Sequence, residues 1–354
     1  ASDVYKRQVL RKDRERMKEI QRKPPLILIT NDDGIDSPGL AAVAAALDPL
    51  GELLIVAPRT QQTSMGRSRS QGEGRDGRLF KREITHGDKS WPAFAANATP
   101  ALTVDHALQQ LADRPVSLVV SGINYGENVG ACVTVSGTIG AALEAAEHAI
   151  PAIAASLEFD HTDHHNFDPV VDFSVAAHFV HMFAERMLNK RMPADVDLLK
   201  IDIPAPATVE TPWMVTHQDR LDYYQPLVEG RQDPFQGENI FEHRQQKGRY
   251  SEKGSDAYAL AHGVVAVTPL SLDLTSRTSL ADLSELLGQR VFADREQRRT
   301  IVREDHVGSG ALMGRDAVKH TARPPSGRVG GAAGDDRTAV GGQSHGKNPA
   351  AVTG

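Results

Sequence analysis

The chain has 354 residues, 40% of them hydrophobic and 24% charged, with a formal net charge of -6 and one cysteine. This supports one large globular domain or two smaller ones, and the acidic balance argues against a dedicated nucleic-acid binder, which would carry a basic stripe. The lone Cys132 excludes a disulfide framework or a cysteine-based zinc site within the chain and fits a reducing cytosol; no apolar run approaches the roughly 20 residues of a membrane helix.

Residues 1–23 are dominated by Lys, Arg, Glu and Gln and are expected to be a charged extension outside the fold. No apolar stretch follows this basic segment, so it is not read as a secretory signal. Leu26 to Ile29 is a short apolar run that predicts a buried strand, ending in the turn Asn31-Asp32-Asp33-Gly34. Leu40 to Leu50 is Ala-rich and helical, and Leu53 to Val56 is a second strand stopped by Pro58. Thr99-Pro100 has the form of a helix start, with Thr as N-cap and Pro at the first position. Val116 to Val120 is a third strand, Ser136 to Ile150 a helix and Ala152 to Ser156 a fourth strand. Asp168-Pro169 is expected to open a longer helix, in which Val171, Val175, Phe179 and Met182 recur at spacings of four and three. Leu198 to Ile203 is a fifth strand.

Beyond Pro204 the alternation weakens. Residues 205–275 are loop-rich apart from a strand at Gly263 to Val267, and are expected to form a flap or an oligomerisation arm. Residues 276–295 are expected to add a short helix, whereas 296–354 are Gly-rich, lack hydrophobic periodicity and are left outside the fold. The main domain is thus expected over 24–275. Strands alternating with helices predict an α/β fold with a mostly parallel sheet covered on both faces. In such sheets ligands bind beyond the carboxyl ends of the strands, which directs attention to the strand-ending loops.

Three of those loops offer oxygen ligands. Asp32 and Asp33 suit a hard cation, although Asp and Gly are also ordinary turn residues. Thr63 and Ser64 follow the second strand with hydroxyls that could ligate a metal or hold phosphate. The segment from Ser121 to Gly130, including Asn124 and Asn128, follows the third strand and leads to Ser136-Gly137-Thr138 at a helix start, where free N–H groups favour an anion. His161, His164 and His165 could in principle bind a transition metal, but sit in an expected loop without helical spacing. Glu144, Glu147 and His148 are expected on a solvated or packed helix face.

The segments ITNDDGIDSPGL, VAPRTQQTSMG, SGINYGENVG and VSGTIGAALEAAEHAIPAIAASL resemble, in order and spacing, the signature segments of the SurE survival proteins. Weaker matches are NATPALTV, LLKIDIP and GSDAYALAHGVVAVTPLSLDLT, so the resemblance spans about Pro25 to Thr275. It implies a Rossmann-like three-layer core with a C-terminal arm that builds homodimers or homotetramers. It also implies an enzyme hydrolysing nucleoside 5′- and 3′-monophosphates with one Mg2+ or Mn2+ per subunit. The lone cysteine, the lack of a long apolar run and the acidic balance add the expectation of a cytoplasmic protein without membrane attachment or stable nucleic-acid binding. Carried over residue by residue, Asp32, Asp33, Asn124 and Thr63 match the metal ligands, with Ser64 as the alternative hydroxyl. Asn128, Ser136, Gly137 and Thr138 match residues near the phosphate; the catalytic set is Asp32, Asp33, Asn128 and Ser136. Ala98, Ala101, Leu102 and Val135 depart from the family pattern and bear on base and sugar preference. Two rival readings are a haloacid-dehalogenase-type phosphatase, which favours alternating rather than adjacent acids, and a phosphate-binding module without turnover.

Overall fold

The computed structural model describes residues 23–72, 74–159, 171–220, 222–227, 242–245 and 251–288. The charged extension before Lys23, the three histidines of the 161–165 segment, the expected helix start at Asp168-Pro169 and the C-terminal tail lie outside them. The described residues up to Ser276 belong to one compact unit, and those from Arg277 to another.

In the first unit the chain runs β1 (Leu26–Thr30), α1 (Pro38–Leu47), β2 (Glu52–Pro58), β3 (Leu79–His86), β4 (Lys89–Ala96), α2 (Pro100–His106), β5 (Val116–Tyr125), α3 (Gly137–Glu147), β6 (Ala152–Leu157), α4 (Ser174–Asn189), β7 (Leu198–Ile203), β8 (Trp213–Val215), β9 (Tyr224–Leu227), β10 (Glu242–Gln245), α5 (Asp256–Ala261) and β11 (Val265–Leu270). Nine strands form one sheet in the order β3-β4-β2-β1-β5-β6-β7-β11-β8, while β9 and β10 pair separately. The core pairings β1 with β2 and β5, β5 with β6, and β6 with β7 are parallel, as the βα alternation requires; β3–β4 and β7–β11 are antiparallel.

β1 shows why the sheet must be covered twice. Ile27 and Ile29 enter the core made with α1 and α4, beside Leu40, Val43, Phe179 and Phe183. Leu26 and Leu28 enter the opposite core, beside Val104 of α2 and Ile139 and Ala145 of α3. Successive side chains of a strand point to opposite faces, so a run without polar residues needs helices on both sides. Each fully buried side chain of this kind contributes about 1.5–3 kcal/mol.

Several expectations shift. β5 continues through Tyr125, so Ser121 to Asn124 lie on a strand end with a register shift rather than in a loop. α4 begins at Ser174, which leaves Val171 ahead of the helix. The hairpin β3–β4 was not foreseen: β3 is an edge strand with Ile84 as its one buried residue, and β4 carries Pro92. The 205–275 segment contributes β8 and β11 to the main sheet, so part of it is core; among its described residues β9 and β10 pair apart from that sheet. In the second unit, α6 (Leu280–Leu286) starts at Ser279, whose hydroxyl accepts the Asp282 N–H at 3.3 Å.

Candidate active site at the switch point of the sheet

From β1 the chain moves to β2 on one side; later it returns to β5 on the other side and continues outward to β6 and β7. The strand order therefore reverses between β1 and β5, and the crevice beyond their carboxyl ends is the expected ligand position. Asp32 and Asp33 follow β1 at this point, both 5% exposed. The Asn31 side chain shapes their turn, accepting the Gly34 N–H at 3.1 Å and donating to the Gly34 carbonyl at 2.9 Å.

Each carboxylate is held by a different neighbour. Asp33 Oδ2 accepts the Tyr125 N–H across the switch point at 3.1 Å. Asp32 Oδ1 accepts the Thr138 hydroxyl at 2.5 Å, and the N–H groups of Gly137 and Thr138 also point at this carboxylate. The helix N-terminus expected to receive phosphate thus already receives the carboxylate of Asp32. Gly137 allows this approach, because a Cβ there would lie 2.7 Å from Asp32 Oδ2. Ser136 is the N-cap of α3, its hydroxyl accepting the Ile139 N–H at 3.2 Å.

Burial dominates the electrostatics. It raises Asp32 from 3.8 to about 6, against the pull of the Thr138 hydroxyl and the helix N–H groups. Asp33 is raised well above the ordinary carboxylate range, first by burial and then by the charge of Asp32, against the Tyr125 N–H and the Gln61 side chain. Among the described residues neither aspartate makes an ion pair. Two adjacent buried carboxylates without a cation are costly; the oxygen-rich surroundings fit a divalent metal ion. Asn124 is half-buried and its Nδ2 donates to the Gly126 carbonyl at 2.7 Å, which leaves Oδ1 as its acceptor atom.

Thr63 is brought near through its neighbour: the Gln62 N–H donates to the Asp32 carbonyl at 2.6 Å. Thr63 and Ser64 are exposed, and Ser64 adopts a φ of 61°. The loop that follows is sewn to two helices. The Gly66 N–H donates to the Val135 carbonyl at 2.8 Å, and its own carbonyl faces Gly140, where a Cβ would come within 2.1 Å. Thr99 donates its hydroxyl to the Ser68 carbonyl at 2.5 Å. Arg67 Nε donates to Glu144 Oε2 at 2.8 Å, and Arg69 pairs with the other oxygen of the same carboxylate.

Glu144 also lies close to Asp105 and His148, with ligand atoms within 4.8 Å of one another. Both Glu144 oxygens are taken by guanidinium groups and His148 Nε2 contacts Asp105 Oδ1 at 2.8 Å, so this cluster is an ion-pair network and a poor cation site. A cavity of about 550 Å³ between α1 and the start of α4 is lined by none of the expected site residues.

Asn128 sits deeper than the sequence suggests. It is 8% exposed, its Nδ2 donates to Ser156 Oγ at 2.8 Å, and its N–H donates to Asp202 Oδ1 at 2.8 Å. Asp202 belongs to a charged group that sequence reasoning missed. Lys200, Asp202 and Asp256 are all 0% exposed, with Lys200 Nζ between the two carboxylates and 3.0 Å from Asp256 Oδ2. A signal was present in LLKIDI: Lys200 and Asp202 stand two apart, on one face of a strand otherwise read as buried.

Fold and site together define an α/β protein with an acidic, cation-ready crevice at a topological switch point. The family model described as Survival protein SurE matches residues 27–225. The 5′-nucleotidase SurE of Thermococcus kodakarensis is 40% identical over 262 residues, covering 74% of this chain and 98% of that protein. The 5′-nucleotidase SurE of Archaeoglobus fulgidus is 38% identical over 251 residues, covering 71% and 92%. The crystal structure of the SurE protein from Aquifex aeolicus superposes with a TM-score of 0.59 at 30% identity, covering 74% of this chain and all of that one. The chain belongs to the SurE family.

Proposed function

We propose that this chain is a metal-dependent phosphomonoesterase that hydrolyses nucleoside 5′- and 3′-monophosphates, a 5′-nucleotidase like its named relatives. The observation that carries the reading is the buried Asp32–Asp33 pair, which among the described residues has no cation paired with it, at the position where an α/β sheet binds ligands. Asp32, Asp33 and Asn124, with Thr63 at the mouth, would hold one Mg2+ or Mn2+. Such an ion supplies positive charge for the phosphoryl oxygens and acidifies a water.

The chain's own groups prepare the rest. Gly137 and Thr138 fix Asp32, so the hydroxyl of Thr138 orients a carboxylate rather than the substrate. Tyr125 fixes Asp33 from the opposite strand. Ser136 and Asn128, both largely buried, are the residues this reading assigns to the phosphate. The reading includes a cytoplasmic homodimer or homotetramer. The exposed Trp213 and Val215 of edge strand β8 support self-association, which sedimentation at micromolar protein checks. Among the described residues no helix is long and apolar enough to cross a membrane.

The decisive measurement is phosphate release from a panel of nucleoside monophosphates, with Mn2+ and with EDTA. Release with Mn2+ and its abolition by EDTA are expected; full activity in chelated, metal-stripped protein would overturn the reading.

A further inference from the structure

The loop from Gly126 to Gly130 leaves β5 at the switch point and carries Asn128. Two of its backbone N–H groups end on buried carboxylates. The Asn128 N–H donates to Asp202 Oδ1 at 2.8 Å, and the Gly130 N–H donates to Asp256 Oδ2 at 3.2 Å. Those carboxylates come from distant parts of the chain, β7 and the first turn of α5, and are joined by the one ammonium group of Lys200. Asp256 also accepts the N–H groups of Asp219 at 2.9 Å and of its own neighbour Ala257 at 2.8 Å. Asp219 in turn accepts the Ser255 hydroxyl at 2.6 Å and the Glu252 N–H at 3.0 Å.

Two negative charges and one positive charge leave the Lys200, Asp202 and Asp256 group one negative charge in excess. The N–H donors around it, two of them from the loop, solvate that excess in place of water. Moving the loop would therefore strip a buried carboxylate of its donor, which is costly where no water can replace it. Buried ion groups of this kind add little net stability over an apolar replacement, whereas removing one member is strongly unfavourable. Their use here is to define a single position for what they hold.

We infer that Lys200 is a positioning residue for the phosphate side of the site: by bridging Asp202 and Asp256 it fixes the backbone of Asn128 and Gly130, and with it the place of Asn128. This rests on the nucleotidase reading for the role of Asn128. Lys200 acts through the loop and leaves the Asp32–Asp33 pair untouched. Phosphate recognition should thus suffer on its loss while metal uptake does not.

The test uses the full chain with Lys200→Met and, as a shape-preserving companion with the charge balance restored, Lys200→Met/Asp202→Asn. Four quantities are compared with the parent: kcat and KM for a nucleoside monophosphate, inhibition by inorganic phosphate, half-saturation by Mn2+, and the melting temperature. Loss of kcat/KM by about 10²-fold is expected from a misplaced group at a reacting centre, with weaker inhibition by phosphate and unchanged half-saturation by Mn2+. A purely structural role would lower the active fraction while leaving KM, phosphate inhibition and metal dependence at parent values, and that result overturns the inference. If Lys200→Met does not fold, the double variant decides by the same criteria. If the parent releases no phosphate, the function assigned above fails; calorimetric binding of inorganic phosphate in Mn2+ then tests the inference separately, and equal affinity in parent and variant overturns it.

Discussion

Asp32 and Asp33 in the turn after β1, and Asp202 on β7 with Asp256 at the start of α5, are two pairs of buried aspartates, and the chain treats them differently. The second pair encloses Lys200. Sharing a single cation splits it: Asp256 is lowered, burial being outweighed by Lys200 and the N–H donors, whereas burial outweighs Lys200 at Asp202, which rises to about 6. Among the described residues the first pair has N–H and O–H donors around it and no cation, and both members are raised. Donors of that kind orient a carboxylate without neutralising it. The pair with its own ammonium group is part of the framework; the pair without one has to obtain its counter-charge from solution.

Substitutions in the first pair should sharpen this contrast. Asp33→Asn preserves size and removes a charge, and its loss of kcat/KM should exceed the roughly 10–100-fold typical of groups that merely support a metal ligand. Melting in EDTA should stay level or rise, because one of two repelling carboxylates is gone. Parent-like rates across a Mn2+ titration would reject the role given to Asp33. Thr138→Val removes only the hydroxyl that holds Asp32 and should fall within that 10–100-fold range in metal affinity. No change in half-saturation would show that the helix N–H groups suffice.

The smallest effect concerns pH. Burial raises both Asp32 and Asp202 from 3.8 to about 6. Across that window the folded protein keeps protons that the unfolded chain has released, so stability falls as pH rises. Metal-free protein should therefore melt higher near pH 5 than near pH 7. Mn2+ should narrow the difference by compensating Asp32, leaving the part that belongs to Asp202. A metal-free melting temperature that rises with pH over this range would break the account.

Much of this could be read from residue order. The apolar run Leu26 to Ile29 of β1, the Thr99 and Ser136 caps and the strand-helix alternation each express a local rule, and the structure follows them. The Asp32–Asp33 turn was legible because its strand was. What escaped depends on partners remote in the chain. β3 buries little and β4 contains Pro92, so neither shows a strand pattern; pairing with β2 is what orders them. Lys200 looks like a surface residue until Asp256, 56 positions later, supplies its second carboxylate. Likewise nothing local in Thr138 reveals that its hydroxyl is committed to Asp32, 106 positions earlier.

The stitched loop after Thr63 bears on how substrate is admitted. A polar segment following a strand often serves as a lid that closes over its ligand. Here Gly66 abuts Gly140, Ser68 receives the Thr99 hydroxyl, and Arg67 and Arg69 grip the fully buried Glu144. These ties reach α2 and α3, the same helix whose first turn holds Asp32. The hydroxyl at the mouth is consequently placed when the chain folds, before any ligand arrives. On the proposed reading, entry on this side would be through a fixed doorway, with selectivity among substrates there set by shape and charge already in position.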